Sequence, residues 1–427
     1  MTTVAAGLVL AMAGLSAVGA QSWRQSSLAA FDEVWQTIHD TYYDPTFGDL
    51  DWKAVREEFR PRVEAAVSGQ DVREIIREML ARLGQSHFML IAPSTTSGLR
   101  GDAHVAIDVR LIGRDVVITR VDADSAASTA GLVPGQIIRR VGEEPASRWF
   151  EAAVGPNERV RATDTLARAA AALSGPVGSP ATLVVAGADG ERTVQVARER
   201  ERGQVVQFGN LPPLVVRVES AEHATPGGRR AGVIVFSMWM PAAAAKIDAA
   251  IDEFRAADGL ILDLRGNPGG IVEMMRGVAG HLIDEEVSLG RVQTRAATLE
   301  LRVNPRRSTR DGRTVTPFAG PVAILVDELT GSASECFAGS LQSLGRVRVF
   351  GRTTMGQALP AATRKLVTGD ILMHVLGDFV TPSGTRLEGQ GVEPDEVVPL
   401  TVADLRAGRD RTLEAALAWI DRAPRLP

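Results

Sequence analysis

The stretch VAILVDELTGSASECFAGSLQSLGRVRVFG, residues 322–351, decides the fold class. Its first five residues are all apolar, which is typical of a strand buried on both faces. A serine-rich turn follows, then a helical pattern through Phe337, Leu341 and Leu344, and residues 346–351 resume a strand pattern. A strand, a helix and a further strand in this order predict α/β layering with parallel strands.

The same alternation extends upstream. Residues 231–239, AGVIVFSMW, predict a buried strand, residues 242–257 a helix, and residues 259–266, GLILDLRG, another strand that runs into the loop NPGG. We therefore expect a largely parallel sheet in an α/β core spanning residues 205–405, with a C-terminal helix at 406–427.

Two segments with different patterns of apolar residues precede this core. Residues 25–97 carry apolar residues at helical spacing and predict a small helical domain, whose clearest helix has Asp71 and Glu74 as an expected capping pair. Residues 100–197 consist of short alternating runs such as DVVITRV, which predict a β-rich domain with one small-residue helix closed by Gly131.

Composition fits a folded multidomain protein. The chain has 427 residues, enough for about three domains. A net charge of −5 argues against a nucleic-acid surface. A single cysteine, Cys336, leaves no internal disulfide, and we expect it to serve packing. The sequence contains neither an H-E-x-x-H motif nor a cysteine cluster, so no metal and no cofactor are predicted.

Residues 1–20, MTTVAAGLVLAMAGLSAVGA, form an uncharged apolar run that ends in small residues. Val18 and Ala20 stand at the positions that precede a cleavage site. The run predicts a signal peptide and hence a secreted or periplasmic protein, although it lacks a basic start. An uncleaved membrane anchor is the alternative.

Two loops follow predicted buried strands and should open at the same edge of the sheet. One contains Gly269 and Gly270, whose N–H groups are unobstructed, as an oxyanion hole requires. The other places Ser332 before a helix, whose first N–H groups favour a developing negative oxygen. Either feature alone is typical of an ordinary turn or cap, whereas their combination predicts a site for acyl transfer.

Three stretches together resemble the core of the C-terminal processing and tricorn-type serine peptidases, the S41 family: residues 259–270, 322–351 and 377–395. This resemblance implies an α/β core of the ClpP/crotonase-like type. It also implies that Ser332 is the nucleophile, with Ser334 facing the helix. The oxyanion donors would be the N–H groups of Ala333 and Gly270, with Gly269 as the second choice.

One branch of that family activates its serine with a lysine. Here the lysine position holds Gln357 and the glutamine position four residues later holds Ala361. A neutral amide has no basic lone pair to take a hydroxyl proton. Lys365 is the nearby lysine, but it lies eight residues beyond that position. The sequence therefore departs from the lysine-dependent branch.

The tricorn-like branch uses histidine. LARLGQSHF, residues 80–88, resembles the LGDSHT run of that branch, which implies His87 as the base and Ser86 as part of its hydrogen-bond network. The orienting carboxylate would be Glu388 in LEGQGVEPD. Asp378 and Asp395 remain alternatives for this acid, although Asp395 is better placed to fix its own turn.

Residues 100–197 resemble a PDZ domain, which implies binding of a polypeptide carboxyl terminus as an added strand; a β-rich spacer without a ligand is the alternative. The resulting prediction is a secreted or periplasmic serine endopeptidase that cleaves unfolded or flexible polypeptides without a cofactor. A catalytically inactive peptide-binding scaffold and a hydrophobic-ligand carrier are the rival hypotheses. Whether the chain forms a homo-oligomer stays open.

Overall fold

The computed structural model describes residues 4–93, 103–155 and 157–424, with side chains from residue 23 onward. The first three residues of the predicted signal peptide, the junction between the helical and β-rich segments, and the last three residues of the predicted C-terminal helix lie outside this range. No helix within the described residues combines the length and apolarity needed to cross a membrane.

The N-terminal segment is helical, as predicted. Its elements are α1 (Val4–Thr41), a short 3-10 helix (Phe47–Asp49), α2 (Trp52–Ala65) and α3 (Gly69–Ala81). The predicted capping pair of α3 is wrong: Ser68 is the N-cap, and Asp71 is the residue that returns a hydrogen bond to it. Asp71 takes this role because its carboxylate reaches the backbone N–H of Ser68.

The elements of the next segment are β2 (Ala103–His104), β3 (Ile107–Ile112), β4 (Asp115–Val121), α4 (Ala126–Thr129), β5 (Ile137–Val141), β6 (Glu144–Pro145), α5 (Ser147–Ala152), α6 (Glu158–Leu173), β7 (Ser174–Gly175), β8 (Pro180–Gly187) and β9 (Gly190–Ala197), preceded along the chain by β1 (Met89–Ile91). Six of these strands form an antiparallel sheet with the order β3-β4-β5-β8-β9, in which β6 also pairs with β5. Helix α6 packs against β3 and was missed by the sequence analysis.

The elements of the core are β10 (Gln204–Val206), β11 (Leu214–Val216), β12 (Val218–Ala224), β13 (Arg230–Phe236), α7 (Pro241–Glu253), a 3-10 helix (Phe254–Ala256), β14 (Gly259–Asp263), α8 (Val272–Ala279), β15 (Val287–Thr294), β16 (Thr298–Val303), β17 (Val322–Val326), α9 (Ala333–Ser343), β18 (Arg348–Gly351), β19 (Ala361–Lys365), β20 (Ile371–Val375), β21 (Gly377–Val380), β22 (Glu396–Val397), α10 (Val402–Arg406) and α11 (Arg411–Arg422). Six of these strands form a sheet with the order β12-β13-β14-β17-β18-β22, in which every pair after the first is parallel. The multidomain α/β class is confirmed, whereas the domain limits given above stay predictions.

Alternate residues of the central strands bury opposite faces of this sheet. Leu262 and Ile324 belong to a large apolar cluster that includes residues of α7, α8 and α9. Ile261 and Leu325 point the other way, into a smaller cluster closed by Ile420 of α11. The strands are therefore covered on both faces, which explains their continuous apolar sequences.

The helical segment is joined to the core by strand pairing and by a shared apolar cluster. Strand β1 pairs antiparallel with β20, with Leu90 opposite Leu372. Leu359 and Leu366 of the core pack in the same cluster as the buried faces of α1, α2 and α3. This attachment places the end of the helical segment, residues 84–88, beside the core.

Candidate active site

Ser332 lies between β17 and α9, at the sharp turn that the sequence predicts. Its backbone has φ 51° and ψ −120°, a conformation that is rare for a residue other than glycine. Its N–H is shared between the carbonyl oxygen of Gln357 at 2.8 Å and Oε2 of Glu335 at 3.0 Å. Strain of this kind clusters at functional sites, and the side chain is only half-buried.

The loop after β14 lies directly against Ser332. A Cβ atom added to Gly269 would stand 2.6 Å from the Cβ of Ser332 and 2.9 Å from the N of Ala333. A Cβ on Gly270 would stand 2.3 Å from the carbonyl oxygen of Trp239. With φ of 106° and 138°, both positions require glycine, as the close approach of two loops demands.

The three N–H groups predicted as oxyanion donors differ in their availability. The N–H of Gly269 already donates to Oδ1 of Asn267 at 3.0 Å. Across the described part of the chain, the N–H groups of Gly270 and Ala333 donate to no other residue. These two groups are therefore free to donate to an external oxygen.

Ser86, His87 and Glu388 are joined by hydrogen bonds although 302 positions separate Ser86 from Glu388. Oγ of Ser86 lies 2.7 Å from Nδ1 of His87 and donates to Oε2 of Glu388 at 3.0 Å. The backbone N–H of Ser86 donates to Oε1 of the same carboxylate at 2.9 Å. Glu388 therefore reaches the imidazole through Ser86, which stands between the two side chains.

This arrangement fixes the tautomer of His87. The Ser86 hydroxyl donates its proton to Glu388, so its oxygen can only accept a hydrogen bond from Nδ1–H of His87. The other ring nitrogen of His87, Nε2, therefore keeps its lone pair. Burial lowers the pKa of His87 from 6.5 to about 4. The imidazole is therefore neutral at pH 7 and able to accept a proton.

Two adjacent residues connect the Ser332 turn to the histidine network. Gln357 accepts from the N–H of Ser332 through its carbonyl oxygen, and Ala358 donates from its N–H to Oε2 of Glu388 at 2.9 Å. Among the described residues, Ser332 and His87 share no hydrogen bond. The Ser332 turn and the network of Ser86, His87 and Glu388 are thus connected by the backbone of residues 357–358.

Two family models match the chain. Residues 230–398 match Peptidase family S41, and residues 21–81 match the Tricorn protease C1 domain. Residues 230–398 therefore belong to the S41 peptidase family.

Individual S41 relatives are similar over most of the chain. A carboxyl-terminal-processing protease of Synechocystis sp. is 27% identical over 401 residues, covering 90% of this chain and 84% of that protein. Tricorn protease homolog 1 of Streptomyces coelicolor is 27% identical over 412 residues, covering 93% of this chain and 35% of that protein. The solved structure of a photosystem II D1 C-terminal processing protease aligns with a TM-score of 0.59 at 22% identity, over 92% of this chain and 98% of that one.

Lys365 is exposed to solvent, whereas the other alternative residues have hydrogen-bond or ion-pair partners. Lys365 is exposed on β19, and Ser334 is fully buried with its Oγ accepting from the indole N–H of Trp239 at 2.8 Å. Asp378 pairs with Arg386 at 2.6 Å, whereas Asp395 accepts from the backbone N–H of Val349 at 2.7 Å.

The remaining candidate side chains give no sign of metal or thiol chemistry. Cys336 is buried, which raises the pKa of its thiol, and packing is the role its surroundings support. In the described ranges, no group of three His, Cys, Asp or Glu side chains is arranged to hold a metal ion.

Sequence analysis missed the most heavily bonded carboxylate of this S41 site. Glu335 is fully buried beneath the Ser332 turn and accepts hydrogen bonds from the loop at residues 354–357 as well as from Ser332. Burial outweighs these bonds and raises its pKa to about 7. The glutamate three residues after an N-cap serine is a sequence signal for part of this role.

Proposed function

We propose that the protein is a serine endopeptidase in which Ser332 is the nucleophile, His87 the general base, and Glu388 the acid that orients His87 through Ser86. The single observation that carries this proposal is the Glu388–Ser86–His87 chain of hydrogen bonds, which leaves Nε2 of a neutral imidazole free. It supports the histidine-dependent branch of the family, since Gln357 has no basic nitrogen.

The mechanism has two stages. In the first, Oγ of Ser332 attacks the scissile carbonyl carbon while Nε2 of His87 takes the hydroxyl proton, and His87 then returns that proton to the leaving amine as the C–N bond breaks. The N–H groups of Gly270 and Ala333 stabilise the oxyanion. In the second, water attacks the acyl-enzyme, gives a proton to His87, and Ser332 recovers it.

Apo hydrogen bonds between a nucleophile and its base are often long and shorten only when substrate is bound. We infer that the Ser332–His87 contact forms in this way. Both residues have a positive φ, 51° and 61°, a backbone conformation that clusters at functional sites.

We further propose that the β-rich segment, residues 100–197, presents the substrate. Strand β3 lies at the edge of its sheet with α6 packed beside it, which is the arrangement a peptide needs to add as a further strand. Arg110 on β3 pairs with Asp327 at 2.7 Å, five positions before Ser332. A ligand on this edge would therefore lie close to the Ser332 turn.

The natural substrates are proposed to be unfolded or flexible polypeptides outside the cytoplasm, on the strength of the predicted signal peptide. Binding of a peptide with a free carboxyl terminus, compared with the same peptide amidated, tests the β-rich segment. Equal binding of the two would contradict recognition of the carboxyl terminus.

The test of the peptidase is cleavage of a reduced and alkylated protein substrate beside its native form. The chain without residues 1–20 should cleave the unfolded substrate faster, and Ser332→Ala should abolish cleavage while Lys365→Ala retains it. An absence of cleavage by the unaltered chain would favour the inactive peptide-binding scaffold.

A further inference from the structure

Glu335 is a buried carboxylate that the proposed mechanism does not use. Its Oε1 accepts from the hydroxyl of Thr354 at 2.5 Å and from the N–H of Gly356 at 2.6 Å. Its Oε2 accepts from the N–H of Gln357 at 2.9 Å and from the N–H of Ser332 at 3.0 Å. One carboxylate therefore ties the Ser332 turn to the loop that also supports Glu388.

The donor set of Glu335 contains no cation. Its hydrogen bonds from described residues come from three backbone N–H groups and one hydroxyl. The titratable and charged groups around the same loop are Cys336 on the same helix, Glu388 on the following turn, His87 from the helical segment and Arg159 of α6, which bonds to that turn. None of these groups neutralises Glu335 by a direct ion pair.

The geometry suits the ionised carboxylate. Two oxygens offer about four acceptor positions, and four donors point at them. The Thr354 hydroxyl gives its single proton to Oε1 while its oxygen accepts from the N–H of Val392 at 2.7 Å. A proton added to Oε2 would face two backbone N–H donors, and a proton added to Oε1 would require the Thr354 hydroxyl to turn its own proton away. In either case at least one of the four hydrogen bonds would be lost.

We propose that Glu335 is a positioning residue whose ionised carboxylate holds Ser332 and the 354–357 loop in the reactive arrangement, and whose protonation releases them. This inference rests on the proposed peptidase function. The loop carries both the Gln357 carbonyl that accepts from Ser332 and the Ala358 N–H that donates to Glu388. Loss of a bond to Glu335 therefore disturbs the nucleophile and the orienting acid together.

Glu335 and His87 titrate in different pH ranges, so their effects on activity can be measured separately. Burial raises the pKa of Glu335 to about 7, against the opposing hydrogen bonds, whereas burial lowers the pKa of His87 to about 4. As pH falls from 8 to 6, His87 stays neutral while Glu335 takes up a proton. The decrease in activity as pH falls through about 7, which is the acidic limb of the pH profile, is therefore assigned to Glu335.

The test is the rate of labelling by a fluorophosphonate probe between pH 5 and 9. In the unaltered chain the rate should fall as pH drops through about 7. Glu335→Gln should label at least tenfold more slowly at pH 8, because its amide N–H₂ group faces donors, and should show no limb near pH 7. A limb that persists unchanged in Glu335→Gln would overturn the proposal.

Thr354 supplies a second, milder pair of variants for the case in which Glu335→Gln does not fold. Thr354→Val removes one donor to the carboxylate and should shift the limb to higher pH, whereas Thr354→Ser keeps the hydroxyl and should leave it in place. Equal limbs in the two variants would contradict the role of Glu335.

Failure of the proposed peptidase function would look different. It would appear as no labelling of Ser332 at any pH.

The unfolding temperature then tests Glu335 independently of activity. A raised pKa gives stability that is present at low pH and lost as pH rises through about 7. The unfolding temperature of the unaltered chain should therefore fall between pH 5 and 8 relative to that of Glu335→Gln, and that of Thr354→Val should fall at least as steeply, because its Glu335 carboxyl has the higher pKa. Parallel curves for the unaltered chain and Glu335→Gln would overturn the inference.

Discussion

Ser332 holds a backbone conformation that costs of order 1–3 kcal/mol for an ordinary residue. The surrounding contacts maintain it: its N–H is bonded to Gln357 and Glu335, and the loop containing Gly269 closes against its side chain. The strained conformation thus depends on the close contact between the Ser332 turn and the Gly269 loop. A methyl group added at Gly269 would push the two loops apart.

Gly269→Ala should therefore reduce activity about a hundredfold, because displacements of about 1 Å at a reacting group have effects of this size. The added Cβ meets the Cβ of Ser332 and the N of Ala333. The measurement is the rate of probe labelling at a temperature where the variant is folded. Gly277→Ala is the control, since a Cβ at this position on α8 has open space. Equal labelling of both variants would contradict the fitted-loop account.

His87 should make stability depend on pH in the acidic range. Its pKa of about 4 lies below the ordinary 6.5, so the unfolded chain binds a proton first as pH falls. The stability that His87 contributes is constant above pH 6.5 and decreases between 6.5 and 4, by about 2–3 kcal/mol for a shift of this size. The free energy of unfolding of His87→Gln should fall less over that range, as denaturant titration at pH 7 and 4.5 can show. Parallel losses would contradict the burial of His87.

Residue identities were predictable where a short motif carries them. Ser332 and His87 stand in local runs that resemble the family, and Gly269 and Gly270 follow from the need for unobstructed backbone. Glu335 was missed because its importance depends on residues 354–357 folding back over it, which no local pattern of residue types encodes.

At the scale of elements, β1 determines where the histidine lies. The strand begins two residues after His87 and pairs with β20 in a register that sets Met89 opposite Met373 and Leu90 opposite Leu372. The side chain of Leu90 is 6% exposed and packs with the helical segment, whereas that of Met89 is 48% exposed. Both residues pair with β20, but only Leu90 is buried, so substitutions at the two positions distinguish the effect of packing from that of strand pairing.

Leu90→Ala should destabilise the protein by about 2–4 kcal/mol through the lost contacts and the cavity. It should also slow labelling of the folded protein at least tenfold, because it loosens the strand that positions His87. Met89→Ala should leave both quantities nearly unchanged. Chemical denaturation and probe labelling measure the two effects, and equal losses in the two variants would contradict this role of β1.

Elements with strong periodicity were predictable, and those defined by distant partners were not. The apolar strands β14 and β17 were evident because both faces are buried. Strand β1 is three residues long and exists through its pairing with β20, 280 positions away. Helix α6 was missed because its Ala-rich sequence contains few large apolar residues to mark a face.

At the scale of the whole molecule, the helical segment and the core share one apolar cluster and a partly buried ion pair. Arg73 of α3 contacts Asp370 of the core at 2.7 Å, and the Asp370 side chain is 4% exposed. Because half of the proposed site comes from each segment, this contact bears on activity as well as on stability.

Asp370→Asn should cost about 1–3 kcal/mol of unfolding free energy, since it leaves Arg73 without its charged partner in a partly buried position. Glu78→Gln is the matched control, because the Arg62–Glu78 pair is about half exposed and should contribute less than 1 kcal/mol. Urea denaturation of both variants measures the difference. A larger loss in Glu78→Gln would contradict the importance of the joint between the segments.

The central claim is that an imidazole from the helical segment deprotonates the hydroxyl of Ser332 in the core. Its most direct test is fluorophosphonate labelling at pH 8, with the modified residue identified by mass spectrometry. The account predicts a label on Ser332, formed at least a hundredfold more slowly in His87→Ala and at an unchanged rate in Lys365→Ala. A label on another residue, or labelling of Ser332 that is indifferent to His87→Ala, would contradict it.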